Sequence, residues 1–199
     1  MLPRETFPQL FIDLFTGKMG MSDQEFDFFC KHFKAFTIKK KDFYVKEGSI
    51  TNAKAYVKKG CGRNFIIDKN GKERITNFLF EDWWLGDFES YYTGNPGKAY
   101  CQAIEDMDVL EISKTDFLKM EDEIPKLKMW YELKIKKHSF AIINQLYDVK
   151  TSTCEERYLE LIKKHPQIFQ RVPLQYIASY IDMEPQSLSR MRKRLQESA

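Results

Sequence analysis

The sequence predicts an α+β chain with an N-terminal antiparallel β-roll of the jelly-roll barrel type, a long dimerisation helix and a C-terminal helix-turn-helix domain. Three observations support this class. Short β-rich runs broken by glycines fill the first half of the chain. A heptad-like apolar spacing follows Pro125, and two short helical patterns joined by a tight turn follow Val172. We therefore expect a β-roll domain over residues 1–124, the helix over 125–150 and the helix-turn-helix domain over 151–199.

The composition indicates a folded protein with no membrane span. Apolar residues make up 43% of the 199 residues and aromatics 15%, which is enough for a packed core. No apolar run is long enough to cross a bilayer. The four cysteines form no C-x-x-C pair and the three histidines are far apart, so the pattern favours reduced thiols rather than disulfides or a metal site. We expect a cytoplasmic protein without metal, cofactor or membrane partner.

A short amphipathic helix is predicted near the N-terminus. Ser22 and Glu25 have the spacing of a capping box, in which each side chain accepts a hydrogen bond from the other residue's backbone. Phe26, Phe29 and Phe33 follow at i, i+3 and i+7 and would form its apolar face.

About eight short strands are expected next. The pattern changes to short β-rich runs, which are Phe36–Ile38, Phe43–Val45, Ala55–Val57, Phe65–Ile67, Ile75–Phe80, Ala99–Ile104 and Val109–Ile112. Asn70-Gly71 predicts a tight turn with two positive φ values. Many short strands at this spacing indicate an antiparallel barrel or two-layered roll.

Ser113 and Asp116 form a second predicted capping motif, and Pro125 begins the long helix. A heptad-like seam runs along that helix, formed by Met129, Leu133, Lys136, Phe140, Ile143 and Tyr147. Two interpretations are open: the helix packs on its own barrel, or it forms the seam of a homodimer. The length of the helix beside a small barrel favours the dimer.

The C-terminal pattern is the most specific in the chain. A helix is predicted over Thr151–Lys164, and Pro173 begins another with Ile177, Ala178 and Ile181 on its buried side. Asp182–Glu184 makes a three-residue turn, and Pro185 suits the first position of a helix. The last helix buries Leu188, Met191 and Leu195, so the two short helices predict a helix-turn-helix.

The last helix also carries the donors that double-stranded DNA requires. Base contacts are expected near its N-terminal end, from Gln186, Ser187, Ser189 and Arg190. Phosphate contacts are expected from Arg192, Lys193 and Arg194. Residues 125–199 hold 14 Lys and Arg against 8 Asp and Glu, a net charge of +6, whereas residues 1–124 hold 18 against 21, a net charge of −3. This asymmetry is a weak indication of an anionic partner.

This order of elements resembles the Crp/Fnr family of bacterial transcription regulators. The stretches Trp84–Phe88, Ala103–Ser113 and Ile177–Arg190 carry the resemblance. It implies a cyclic-nucleotide phosphate cassette, a homodimer and RNA polymerase as a candidate partner. Where the family has Gly-Glu this chain has Gly86-Asp87, and Gly97 stands where the phosphate-binding arginine should follow Pro96. The implied effector pocket at Gly86, Asp87 and Lys98 is therefore degenerate, and usual cAMP binding is not expected.

Two alternatives are open for the state of that pocket, and two for the function of the protein. The pocket takes another, unknown effector with Lys98 as an anion contact, or the rings of Trp84, Phe88 and Tyr91 fill it; the second is favoured. The leading function is a homodimeric, sequence-specific DNA-binding regulator. The alternative is a small-molecule sensor module whose helical tail does not contact DNA. A metal enzyme of the cupin class is disfavoured because residues 34–113 contain no histidine, and no catalytic arrangement is apparent, so we expect no enzyme.

Overall fold

The N-terminal segment is helical and is held by the predicted capping box. The computed structural model describes residues 2–197, apart from the side chains at positions 138, 141, 142, 145, 146 and 148–150. A 3-10 turn at Arg4–Thr6 precedes helix α1 at Gln9–Ile12, which continues as a π-helical Asp13–Lys18 and is followed by α2 at Asp23–Cys30. Glu25 N donates to Ser22 Oγ at 3.2 Å, and Ser22 N donates to Glu25 Oε2 at 2.7 Å.

Eight strands follow within the described residues, in two four-stranded sheets. They are β1 Phe33–Ile38, β2 Phe43–Val45, β3 Ala53–Lys59, β4 Gly62–Ile67, β5 Glu73–Leu79, β6 Trp84–Leu85, β7 Tyr100–Ala103 and β8 Met107–Ser113, with helix α3 at Phe88–Thr93 between β6 and β7. The strand orders are β1-β8-β3-β6 and β2-β7-β4-β5. The antiparallel β-roll that the sequence predicted is confirmed.

Phe33 belongs to β1 and not to the face of α2. The prediction that placed it on the helix was wrong, because its backbone pairs with Ile112 in the β1–β8 ladder. Its ring nevertheless packs against Phe29, with 4.9 Å between the ring centroids. The three phenylalanines therefore share one contact surface, although Phe33 lies in a strand and the other two lie in a helix. This shared surface explains their helix-like spacing in the sequence.

The two faces of the sheet that contains β3 and β8 pack against different clusters. Side chains alternate along a strand, so Ala55, Val57 and Val109 point one way and Tyr56 and Leu110 the other. The first group belongs to an inner cluster between the two sheets, which comprises Ile38, Val45, Ala55, Val57, Leu79, Leu85, Cys101, Ala103, Met107 and Val109. The second group joins an aromatic cluster on the outer face, which includes Phe7, Phe11, Phe15, Phe26, Phe29, Phe33, Tyr56 and Phe117.

The turn between β4 and β5 differs from its predicted geometry. Gly71 has a φ of 76°, but Asn70 is not among the residues with positive φ. The Asp68 carboxylate accepts from Asn70 N at 2.9 Å and from Lys72 N at 3.0 Å. Asp68 therefore closes the turn through its own side chain, and only one left-handed residue is needed.

The C-terminal half is helical. The helices are α4 Lys114–Glu123, α5 Pro125–Thr151, α6 Cys154–Lys164, α7 Ile168–Arg171, α8 Leu174–Tyr180 and α9 Pro185–Glu197. Ser113 caps α4 by accepting from Asp116 N at 3.0 Å. Thr153 caps α6 in a complete capping box with Glu156, so that helix begins three residues later than predicted.

The chain divides into two compact units. One contains the residues up to Asn64 together with Phe78–Lys136, and the other contains Phe65–Asn77 together with the residues from Lys137 onward. The boundaries that the sequence suggested at residues 124 and 150 stay a prediction. Every helix in the described part of the chain is too short or too polar to cross a membrane.

Candidate functional site

The turn between α8 and α9 is built by a helix-ending motif. Asp182 adopts a φ of 58°, its N–H donates to Ser179 O at 3.2 Å, and Met183 N donates to Ala178 O at 2.9 Å. This is a Schellman motif with aspartate in the left-handed position that glycine usually takes. Ala178 and Leu188 are fully buried, so a small residue and an apolar residue lie inside the motif. The two helices are thereby fixed in a helix-turn-helix.

The predicted base-contacting residues lie at the beginning of α9. Gln186, Ser189 and Arg190 are exposed, and Ser187 is half-buried. Arg190 Nη2 donates to Ser187 Oγ at 3.3 Å, which brings these two donors together. Because the buried residues Leu188 and Met191 face the opposite way, the donor side of the helix is turned outward.

The structure separates the three predicted phosphate contacts. Arg192 is half-buried, and its guanidinium carbon lies 4.0 Å from the ring centroid of Phe169. Arg194 forms an ion pair with Glu155 of α6. Lys193 is exposed and lies 3.9 Å from Glu197, a pair that contributes little in water. Lys193 is thus the most available of the three for an anionic partner.

Sequence reasoning missed that the β4–β5 hairpin lies beside the turn of the helix-turn-helix, within the same compact unit. Lys72 Nζ lies 2.9 Å from Glu184 Oε1, and Arg74 Nη1 lies 3.0 Å from Asp182 Oδ1. Ser179 Oγ accepts from Ile75 N at 3.2 Å. The hairpin cations therefore offset two acids that precede α9 and that would otherwise repel a phosphate. No local sequence signal indicates pairs more than 100 residues apart.

Asp87, the predicted ribose-binding acid, holds the chain's own backbone. It is the N-cap of α3, where Oδ1 accepts from Ser90 N at 3.0 Å, and Oδ2 accepts from Ala99 N at 3.3 Å. The side chain is almost fully buried. Both oxygens of the carboxylate are therefore engaged before any ligand arrives.

Gly97 leaves no room for the arginine that a cyclic phosphate would need. A Cβ at this position would lie 2.3 Å from Asp87 Oδ2, which is closer than real contacts allow. Its backbone is also paired with the loop before β3, since Gly97 N donates to Ser49 O at 2.9 Å and Gly48 N donates to Gly97 O at 2.8 Å. Gly86 is buried with a φ of 146°, and Lys98 is exposed. The structure brings Gly86 and Asp87 together as neighbours and shows Lys98 in no polar contact with them.

Comparison with known proteins identifies the fold of this chain. Residues 35–123 match the family model of the cyclic nucleotide-binding domain. CLP from Xanthomonas campestris, a c-di-GMP-responsive global regulator, is similar with a TM-score of 0.69 and 13% identity, over 89% of this chain and 93% of its own. FixK2 from Bradyrhizobium japonicum is similar with a TM-score of 0.73 and 13% identity, over 83% and 85%. The chain has the Crp/Fnr regulator fold.

A third structure supports the same assignment. The catabolite activator protein of Thermus thermophilus is similar with a TM-score of 0.55 and 20% identity, over 93% of this chain and 87% of its own. No curated protein sequence matches the chain. The resemblance to Crp/Fnr regulators that the sequence showed is thus confirmed at the level of the fold.

The large rings between Trp84 and Tyr91 do not join the inner cluster of the roll. The ring centroid of Trp84 lies 5.5 Å from that of Tyr56, on the side of the aromatic cluster. Leu85 takes the inner position because adjacent residues of a strand point to opposite faces. Tyr91 is buried beside Lys54, with 5.5 Å between the ring centroid and Nζ. Trp84 and Tyr91 therefore lie outside the inner cluster, and the filling of the effector pocket by the rings of Trp84, Phe88 and Tyr91 stays a prediction.

The predicted seam of the long helix is uncovered in the single chain. Met129 is 63% exposed, Phe140 65% and Tyr147 60%. Leu133, Ile143 and Lys136 are exposed as well. Large apolar side chains repeated along one helix are costly to leave in water, and an exposed stripe of this kind is typical of an interaction surface.

Proposed function

We propose that the protein is a cytoplasmic, homodimeric, sequence-specific DNA-binding transcription regulator of the Crp/Fnr type whose activity does not depend on cAMP. One observation carries the proposal: the helix-turn-helix of α8 and α9 presents Gln186, Ser189 and Arg190 outward at the beginning of α9. A recognition helix contacts base edges with this part of its length.

The exposed donors suit base edges in the major groove. A guanidinium can donate two hydrogen bonds to guanine O6 and N7, and a glutamine amide can pair with adenine N6 and N7. Arg190 and Gln186 lie one helical turn apart and would contact neighbouring base pairs. Lys193 would bind a phosphate, which gives affinity and salt dependence but no sequence preference.

The exposed apolar stripe of α5 supports a homodimer. A twofold axis along a heptad-like seam would cover Met129, Phe140 and Tyr147 with the same residues of a second chain. Two symmetry-related recognition helices would then meet half-sites about 34 Å apart, one turn of DNA. Lys136, the one charged residue of the seam, would favour a defined register at some cost in stability.

Independence from cAMP is supported by the hydrogen bonds that Asp87 already makes within the chain. The Asp87 carboxylate already accepts two backbone hydrogen bonds, and Gly97 supplies no cation. A phosphate placed there would lose its hydration without a charged partner, which is strongly unfavourable. The paired loop around Gly48 and Ser49 closes the same segment through backbone hydrogen bonds. DNA binding is therefore expected without a cyclic nucleotide.

Selection of bound sequences from a random pool of duplex DNA tests the proposal. We expect enrichment of a palindromic site with half-sites one helical turn apart, and affinity for that site should fall steeply with salt. Adding cAMP should change neither the sequence nor the affinity. Failure to enrich any sequence, with weak binding at low salt, would instead support a sensor module whose tail does not contact DNA.

A further inference from the structure

Lys54 is a fully buried lysine near the beginning of β3. Its side chain is 0% exposed, and within the described residues its Nζ has no hydrogen-bond partner. Lysine is almost never buried in this way unless an acid pairs with it. The neighbouring Lys58 and Lys59 on the same strand are exposed, as is usual. Nothing in the proposed DNA contacts or in the cassette uses Lys54.

Four aromatic rings from four elements surround the amine. Nζ lies 3.0 Å from the ring centroid of Phe117 in α4 and 3.5 Å from that of Tyr131 in α5. The centroids of Trp84 in β6 and Tyr91 in α3 are 5.3 and 5.5 Å away. Ring faces attract a cation but offer no acceptor to the three N–H groups of an ammonium. We call this arrangement the lysine box.

The groups that face the lysine box compensate a positive charge only in part. Burial holds the pKa of Lys54 well below its ordinary value, and the attraction of the Glu121 carboxylate in α4 acts against this. Burial also raises the pKa of Glu121. Tyr91 Oη is buried without a partner in the described residues, and Lys114 Nζ, a second cation, lies 5.4 Å from the Tyr91 ring centroid. The closed box therefore favours the neutral amine.

We propose that Lys54 is a proton-controlled latch that holds α3, α4 and the beginning of α5 on the β-roll. While the box is closed the amine is neutral and the four rings pack around it. When Tyr131 and Phe117 move away from β3, water enters and the amine takes one proton from solvent. The ammonium is then hydrated, and reclosing requires it to release that proton.

Because of the latch, the packing of the beginning of α5 on the β-roll should depend on pH. The open form binds one proton more than the closed form, so lower pH favours opening and higher pH favours closing. The effect extends from the pKa of the closed box up to the ordinary lysine value of about 10.4. Within that window the opening equilibrium constant should rise by at most about tenfold for each unit by which pH falls. The lysine box lies within one compact unit, and its packing does not depend on DNA binding.

Hydrogen exchange of the intact protein at several pH values tests the latch. We expect the protection of amides in residues 114–131, corrected for the intrinsic exchange rate, to fall between pH 9 and pH 6. Lys54→Met keeps the length of the side chain without its charge, and it should abolish this slope and raise protection at pH 7. Lys58→Met, on the exposed part of the same strand, is the matched control and should keep the slope. An unchanged slope in Lys54→Met would overturn the proposal.

A direct measurement on the unmodified protein keeps the proposal testable even if Lys54→Met does not fold. The carbon-13 chemical shift of the lysine ε-methylene reports protonation of the attached amine. We expect one of the lysine signals to titrate far below the others and to be missing from the spectrum of Lys54→Arg, whose guanidinium stays charged. If every lysine signal of the folded protein titrates near the ordinary value, the amine is charged in the box and the latch does not exist.

Discussion

Replacing Arg190 with alanine should remove one base contact from each half-site and leave the fold intact. Arg190 is exposed, and its hydrogen bond to Ser187 Oγ at 3.3 Å lies in solvent. Removal of an exposed side chain of this kind changes the free energy of unfolding by about 0.5 kcal/mol or less. Any large loss of DNA affinity would therefore come from the interface.

The size of the loss follows from the geometry of a bidentate contact. A good arginine–guanine pair contributes about 1–3 kcal/mol of discrimination, which is a factor of roughly 5 to 150 in the dissociation constant for each half-site. The two half-sites of a dimer are far apart, so the losses should add to about 2–6 kcal/mol on a palindromic site. The preference at one base pair per half-site should weaken at the same time.

Fluorescence anisotropy titrations with the selected site, and with the same site changed at single positions, measure both effects. Lys193→Ala is the matched control on the same helix, and it should weaken every sequence similarly and flatten the salt dependence. Arg192→Ala should have the smaller effect on DNA, because Arg192 lies over the Phe169 ring. If Arg190→Ala leaves affinity and preference unchanged, α9 is not the recognition helix.

Three further predictions concern the other parts of the molecule. Phe140→Asp should convert a dimer into a monomer, because the seam would bury a charge, and sedimentation at micromolar concentration measures this change. A monomeric unmodified protein would contradict the dimer. Gly97→Arg should not create micromolar cAMP binding in calorimetry, since its Cβ would lie 2.3 Å from Asp87 Oδ2; a micromolar dissociation constant would show that the cassette is open. Hydrogen bonds from Lys126 and Ser22 lower the pKa of Glu25 to about 2. Its stabilising effect should thus be present above about pH 4.3 and be lost as pH falls towards 2, and urea unfolding should show this acid dependence weakened in Glu25→Gln.

Local patterns in the sequence were sufficient for most of the fold. The Ser22 capping box, the long helix from Pro125, and the two helices on either side of Asp182–Glu184 are all present in the structure. Each depends on residues a few positions apart, where backbone hydrogen bonding and side-chain period determine the conformation. The seven β-rich runs found in the sequence all correspond to strands, because turn signals bounded them, whereas the two-residue strand β6 at Trp84–Leu85 had no run of its own.

Only the tertiary structure determined where side chains point and what they meet. Phe33 entered β1 because Ile112, far along the chain, pairs with it. Arg192 turned towards Phe169, and Asp87 was bound by the N–H groups of Ser90 and Ala99 instead of remaining open to a ligand. Lys54 sits in a strand with ordinary lysines, and nothing in its local sequence distinguishes it from them. These outcomes depend on contacts between residues that are distant in sequence. Such contacts contribute free energy only after the helices and strands have packed together.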